Sequence, residues 1–288
     1  MKCKFCRNKA IYEEERLCKE HFNKYFEKRV RKYFDSLRLK DLKILVAISG
    51  GKDSSALAYS LNKIKEDYSL TLELIYLDLG IKNYSEHCKE TAVRLSQYLG
   101  LKLNIIDINQ MYNKTIDSFD DSYACSACGT FKRYLLNKFA FENNFDFVAT
   151  GHNLDDELFF MMNNLLNRNT EYLLRSGKMT KTRRDLKFIG RLKPLYYLTE
   201  KESMILCLSN NIPFTNIECP HGLNSTQLKM KKKLNILFDR RSKKINFIKS
   251  VNIIKKEYHG QEAEFMNFCE VCGYPTNNNV CRFCRLIK

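Results

Sequence analysis

The chain has 288 residues, enough to bury the core of one large domain or of one domain with small modules attached, and the second arrangement is expected. Lys and Arg number 49 against 33 Asp and Glu, a formal charge of +16 that points to nucleic acid as a partner. No apolar run reaches the roughly eighteen residues of a membrane span, and Cys3 and Cys6 stand where a secretory signal would begin, so a soluble protein of the cytoplasm, without a membrane partner, is expected.

Twelve cysteines in such a compartment favour metal sites over disulfides. Cys3-x2-Cys6 and, eleven residues on, Cys18-x2-His21 have the paired-ligand spacing of a structural zinc site, so residues 1–25 are expected to form an N-terminal zinc module. Phe22–Leu39 then carries Phe22, Tyr25, Phe26, Val30, Tyr33, Phe34 and Leu37 at helical spacing with basic residues between them. Residues 26–42 are assigned to a linker helix whose aromatic stripe is packing.

From residue 43 to about 225 the pattern alternates between strand and helix. Lys43–Ile48 reads as a buried strand, Ser49-Gly50-Gly51-Lys52-Asp53-Ser54 as a tight loop, and a helix opens at Ser54. Two adjacent glycines let the backbone approach a ligand, and the first N–H groups of the helix suit a phosphate. The loop is not a Walker A motif, because Val46 stands where that pattern requires glycine, and there is no G-x-G-x-x-G fingerprint. Further strands are expected at Leu70–Asp78, Leu101–Ile108, Phe145–Thr150 and Arg191–Leu195. Between them lie a helix over Ser85–Leu99 stopped by Gly100, a helix from near Thr130, and a helix after the turn Gly151-His152-Asn153-Leu154-Asp155-Asp156-Glu157. Thr199 and Glu202 form a capping box for one more. This order predicts an α/β fold with a doubly wound parallel sheet. Its ligands would sit at the carboxyl ends of the strands, where the Gly-Gly loop, Asp78 and the Gly151 turn fall. Residues 171–193 are expected as a mobile basic loop, and residues 226–262 as a basic helical segment that binds RNA. Residues 263–288, with Cys269-x2-Cys272 and, eight residues on, Cys281-x2-Cys284, are expected as a C-terminal zinc ribbon.

Cys88 and Cys207 lie in expected helices and are assigned to packing. Cys125-Ser126-Ala127-Cys128-Gly129 reads as a turn just before a helix, where thiols are acidified, and Cys219-Pro220 follows an extended segment. Three readings of this trio stand open: a redox pair, a third zinc site completed by His221, or a three-cysteine [4Fe-4S] site.

The loop Ser49–Ser54 resembles the SGGxDS loop of the PP-loop ATP pyrophosphatases, which cut ATP between its α- and β-phosphates and adenylate a carbonyl oxygen. Taken with the CSACG and GHNLDDE segments, the late Cys-Pro pair and the Cys/His modules at both ends, nearly the whole chain resembles the tRNA 2-thiouridine synthetases of the TtuA/NcsA type. The resemblance implies that residues 43–225 are a PP-loop catalytic domain, of adenine nucleotide alpha hydrolase-like fold, flanked by the two zinc modules. The activity it implies is an ATP-dependent tRNA sulfurtransferase that adenylates the C2 oxygen of a uridine and replaces it with sulfur. Ala47, Ile48, Ser49, Gly50, Gly51, Asp53, Ser54, Lys132 and Gly151 would then contact ATP, and Asp53 with Asp155 or Asp156 or both would hold Mg²⁺. Cys125, Cys128 and Cys219 would hold a [4Fe-4S] cluster; without one, a persulfide on Cys128 or Cys219 would carry the sulfur. Sulfide or a ubiquitin-like carrier would donate the sulfur, tRNA would be the substrate, and the family's homodimer is the expected assembly.

Overall fold

The computed structural model describes residues 1–222, 226–257 and 267–288. Positions 223–225 of the α/β region, 258–262 of the basic segment and 263–266 of the ribbon segment lie outside the described residues.

The sheet consists of β1 (Lys43–Ile48), β2 (Thr71–Asp78), β3 (Leu103–Asp107), β4 (Phe147–Ala149) and β5 (Gly190–Leu192), all parallel, in the order β3-β2-β1-β4-β5. β1 is central: Ile44 aligns with Leu72 on one side and Phe147 on the other, and Ile44, Leu45 and Val46 are fully buried, as both faces of a parallel sheet demand. The chain winds from β1 outward through β2 to β3, then returns to lay β4 on the opposite flank. That reversal opens a crevice at the carboxyl ends of β1 and β4, the usual ligand position in such sheets.

Helices cover both faces. α1 (Lys19–Leu37), α2 (Lys52–Ile64), α3 (Ser85–Leu99) and α8 (Glu200–Ser209) share one core, in which Phe22, Phe26, Val30 and Phe34 of α1 meet Leu57 and Leu61 of α2 and Leu206 of α8. The short α4 (Ile108–Tyr112), the long α5 (Asp121–Glu142) and α11 (Arg282–Ile287) belong to the opposite core, where Phe131 and Tyr134 receive Phe283. The C-terminal segment, with the two-stranded pair β6 (Asn267–Phe268) and β7 (Pro275–Thr276), is thereby packed onto the sheet domain. A third cluster joins α6 (Leu154–Leu166), α7 (Thr170–Arg175) and α10 (Arg241–Glu257) through Leu154, Met161, Leu173, Tyr196, Ile248 and Val251. α9 (Thr226–Leu237) crosses α6.

Two expectations are corrected. The CSACG segment is not a turn: α5 begins at Asp121 and runs through it, because Ala124, Ala127, Phe131 and Leu135 form a continuous buried stripe that carries the helix past Gly129. Residues 171–193 are not a free loop. Tyr33 Oη donates to the Lys178 carbonyl at 2.6 Å, Asn137 brackets Lys187 and Ile189 at 2.8 Å each, and Arg184 reaches the Phe145 carbonyl at 2.9 Å. Smaller shifts have local causes: Asp107 ends β3 by capping α4, accepting from the N–H groups of Asn109 and Gln110. The Thr199/Glu202 capping box and the left-handed stop at Gly100 form as expected.

The basic helices α9 and α10 divide their charges. Lys229, Lys232, Lys233, Lys243 and Lys249 face solvent. Lys231, Arg241 and Lys244 turn inward instead, onto carboxylates of α6 and α8. Lys244 Nζ lies 2.5 Å from Asp155 Oδ1, and Asp155 Oδ2 accepts the Glu200 N–H at 2.8 Å. Removing one partner of a buried pair strands the other charge, so Lys244→Met is expected to lower the unfolding free energy by about 3–5 kcal/mol. Adding Asp155→Asn, which removes the stranded charge but keeps an acceptor for Glu200, should recover at least half of that loss in urea titrations.

Candidate active site

β1 delivers the Ser49–Ser54 loop to the crevice, and the loop's shape is enforced from behind. Gly50 has φ +81°, and a Cβ there would sit 2.9 Å from the Cys88 Cα, so only glycine fits. Gly51 caps α2, while Ser54 Oγ donates to the Gly51 carbonyl at 2.9 Å and accepts the Ser49 N–H at 3.1 Å. Gly151, in the turn after β4, presses against this helix start: a Cβ would lie 2.9 Å from Ser54 N. Thr215 closes the other side, donating its N–H to the Gly50 carbonyl at 2.8 Å. The open N–H groups at the start of α2 therefore face a rigid, Cβ-free cradle of the kind that holds phosphate.

The cradle opens into a cavity of about 510 Å³, within the range of nucleotide-sized sites. Of the residues expected around ATP, Ala47, Ile48, Ser49, Asp53, Ser54, Lys132 and Gly151 line it, while Gly50 and Gly51 shape the loop at its edge. Cys128 and Cys219 line the same cavity; Cys125 does not. Asp156 faces it and Asp155 does not, being committed to Lys244. A broader, open depression of about 1120 Å³ adjoins it across the shared wall of Ile81 and Ser85.

Charge is distributed unevenly around this space. Burial pushes the Asp53 carboxyl up, with Lys52 at 2.9 Å opposing the shift, and Asp53 Oδ1 is buried with no hydrogen-bond partner. Burial also works against the charge of Asp156, but Lys231 at 2.5 Å and His152 outweigh it and hold that carboxyl below its ordinary value. Lys231 bridges Asp156 to Glu200, again at 2.5 Å, and these two carboxylates raise its ammonium above the ordinary lysine range despite burial. Arg133 and Arg191, which also line the cavity, have no carboxylate partner among the described residues. Burial and then repulsion from Arg133 push Arg191 down to about 10. Two guanidiniums without carboxylate partners beside one cavity make a complement for a polyanion.

The trio of mid-chain thiols is split between a helix and a strap. Cys125 and Cys128 stand one turn apart on α5, and Cys125 Sγ lies 3.3 Å from the His221 carbonyl. Burial raises the Cys219 thiol, and its neighbours include Cys128 and Lys132. The third-zinc reading fails here, because the His221 ring is turned to carboxylates, with Nε2 2.7 Å from Asp117 and Nδ1 3.2 Å from Asp121, and does not converge with the thiols. Nor do the three thiols draw together at single-ion spacing, which among the described residues only the two terminal groups reach.

Those terminal groups do converge. Cys3, Cys6, Cys18 and His21 bring their ligand atoms within 4.8 Å of one another, with Cys18 Sγ 3.2 Å from His21 Nδ1 and Cys6 Sγ 3.6 Å from Cys18 Sγ. Cys269, Cys272, Cys281 and Cys284 do the same, with Cys272 and Cys281 3.7 Å apart. These separations match the edge of a tetrahedron with Zn–S bonds of about 2.3 Å. The Cys281 N–H donates to Cys269 Sγ at 3.2 Å and the Cys284 N–H to Cys281 Sγ at 3.4 Å, as thiolate ligands require. Burial would raise Cys269, but the backbone N–H groups of Cys281, Cys272 and Val271 together bring it down to about 6.

Residues 20–220 match the model of the PP-loop domain family. The chain is 39% identical to the tRNA-5-methyluridine(54) 2-sulfurtransferase of Pyrococcus horikoshii over 99% of its own length and 93% of the relative's. It belongs to the PP-loop tRNA 2-thiolation family. The protein of the same name from Thermus thermophilus is 34% identical, with 99% of this chain and 91% of that one covered. Among solved structures, the U34-tRNA thiolase NcsA from Methanococcus maripaludis, which carries a [4Fe-4S] cluster, superposes with a TM-score of 0.83 at 28% identity, over 100% of this chain and 97% of that one.

Several residues in and around the cavity carry no signal in the sequence. Arg191 sits on β5 opposite Val148 of β4, and its direction follows from strand register, which single-chain periodicity does not supply. Arg133 follows Lys132 on α5, and Lys231 and Glu200 meet only through tertiary packing. His152 stands in the GHNLDDE turn itself, with its Nδ1 2.8 Å from Thr150 Oγ1.

His152 is crowded by protein although its ring faces the cavity. Burial, partly opposed by Asp156, pushes it down to about 4 from 6.5. The folded state thus favours the neutral ring: the associated stability is present above pH 6.5 and fades as pH falls toward 4, modestly, because water in the cavity screens the ring. In a ¹H–¹³C titration the His152 midpoint should lie well below 6.5, and Asp156→Asn should lower it further by removing the carboxylate that supports the charged form.

Proposed function

We propose that this chain is an ATP-dependent tRNA sulfurtransferase that converts a uridine to 2-thiouridine. The observation that carries the reading is the single cavity onto which the phosphate cradle, Lys132, Cys128 and Cys219 all open. Adenylation and sulfur delivery must act on one carbon atom, so the two sets of groups have to share one space. Relatives at 33–39% identity are named for position 54, which favours that uridine as the target.

In this reading the triphosphate lies on the N-terminus of α2, with Lys132, Arg133 and Arg191 offsetting its charge. The uridine O2 attacks the α-phosphorus, the bond to the β-phosphate bridging oxygen breaks, and pyrophosphate leaves. A sulfur nucleophile then adds at C2 and AMP departs with the former carbonyl oxygen. Asp53, through its unpartnered Oδ1, with Asp156 beside it, suits Mg²⁺, which would supply charge neutralisation at the phosphates. Asp155 is reassigned from metal ligand to anchor of α10, because Lys244 occupies it.

Cys125, Cys128 and Cys219, spaced too widely for one ion, suit a [4Fe-4S] cluster, which when bound would supply a binding place for the incoming sulfur. The two terminal four-ligand groups suit structural zinc. The outer lysines of α9 and α10 offer tRNA a basic face. Sulfide or a ubiquitin-like carrier as donor, a homodimer, and a cytoplasmic location belong to the same proposal; among the described residues no helix is long and apolar enough to cross a membrane.

The test is anaerobic reconstitution followed by thionucleoside analysis of tRNA treated with ATP and sulfide. Wild type should form the 2-thio derivative of the uridine or 5-methyluridine at position 54 together with AMP. Lys132→Ala should slow thiolation by about 10²–10³ with iron and zinc contents unchanged. Cys219→Ser should abolish iron uptake and thiolation but keep nucleotide binding. Thiolation that survives Cys219→Ser at the wild-type rate would overturn the assignment.

A further inference from the structure

We propose that His221 is a positioning residue, the latch that holds Cys219 against the thiols of α5. The inference rests on the reading of Cys125, Cys128 and Cys219 as one site, and it concerns what assembles that site. Cys125 and Cys128 need no help, since a helix fixes residues one turn apart. Cys219 lies on a strap instead. The last tertiary backbone bond before it is that of Thr215 to Gly50, and the bond from the Gly222 N–H to the Cys219 carbonyl, at 2.8 Å, is local.

Among the described residues, the polar contacts that tie the strap's end to the rest of the protein all pass through His221. Its carbonyl is 3.3 Å from Cys125 Sγ, its Nε2 is 2.7 Å from Asp117 Oδ1, and its Nδ1 is 3.2 Å from Asp121 Oδ1. The imidazole is largely enclosed, with 12% of its side-chain surface exposed. Both ring nitrogens face carboxylates, Nε2 that of Asp117 in the turn before α5 and Nδ1 that of Asp121 at its first position.

Asp117 is itself anchored. Its Oδ2 accepts the Lys82 N–H at 2.8 Å, and the short 3-10 turn that carries it, Ile116–Ser118, is pinned by buried Ile116, whose N–H bonds the Leu79 carbonyl at 2.9 Å. The line runs from the end of β2 through Asp117 and His221 to Cys219, two residues away. The sheet thereby sets the distance between the third thiol and the other two.

The test uses the iron-free protein and a bifunctional thiol reagent, dibromobimane, with bridged peptides quantified by mass spectrometry. Wild type should yield bridges from Cys219 to Cys128 or Cys125, together with the intrahelical Cys125–Cys128 bridge as internal reference. His221→Ala and Asp117→Ala should each lower the Cys219 bridges about fivefold relative to that reference, the size expected on losing one intramolecular hydrogen bond. The double variant should fall no further, because both substitutions open one latch. After reconstitution, the single variants should lose iron to a chelator faster than wild type. Unchanged Cys219 bridging in His221→Ala overturns the latch, whatever the iron content. If bridging falls as expected but wild type binds no iron, the latch stands and the cluster reading fails.

Discussion

The architecture depends on how charge is buried at the carboxyl edge of the sheet. Asp53, Asp155, Asp156, Glu200 and Glu202 crowd into one region, and each buried carboxylate needs a cation or a set of donors to remain there. Lys52 answers Asp53, and α9 and α10 answer the others with Lys231, Lys244 and Arg241. The basic segment is therefore in part a structural counter-charge. What remains unsatisfied around the cavity is informative: Asp53 Oδ1 and the guanidiniums of Arg133 and Arg191. A cation and a polyphosphate together would complete both.

The same edge joins the N-terminal module to α10. Glu202, fully buried in the first turn of α8, accepts from Tyr12 Oη at 3.2 Å and from Tyr25 Oη at 2.7 Å, and its Oε1 lies 3.3 Å from Arg241 Nε. Glu14, in the N-terminal module, accepts the Arg241 N–H at 3.1 Å. One residue pair thus ties the Cys3–His21 module and α1 to α10, while Glu200, two positions earlier on α8, reaches Lys231 and through it Asp156. The outer lysines that would meet RNA and the inner Lys231, which pairs with Asp156 of the cavity lining, lie on the same short helix, α9. That geometry would link docking on one face to order at the other.

The sequence carried those parts of the site that depend on local backbone. The Gly-Gly loop announces itself because positive φ and a helix start leave few alternatives, and paired ligands at x2 spacing announce metal groups for a similar reason. The order of strands is readable because each helix between them is a crossover. Side-chain direction was harder to read. Gly129 suggested a turn, while the small alanines before it, buried in the fold, make a helix. Lys231 and Lys244 resembled surface charge, since the carboxylates that claim them lie between 31 and 89 positions away. The choice between Asp155 and Asp156 likewise turns on which face of α6 meets α10, a fact of packing alone.

The division of the thiols has a mechanical logic. Two stand on a helix that belongs to the core, so their spacing is constant. The third is on a segment whose Thr215 pairs with Gly51 and bonds Gly50, the residues that shape the phosphate loop, only four positions before Cys219. A loop that tightened around phosphate would act on this strap at its near end, while His221 holds the far end to α5. Cys219 is suspended between the nucleotide cradle and the helix that bears its partner thiols. In the proposed reaction, where oxygen is activated before sulfur arrives, a thiol in that position would connect the two half-reactions through a few hydrogen bonds.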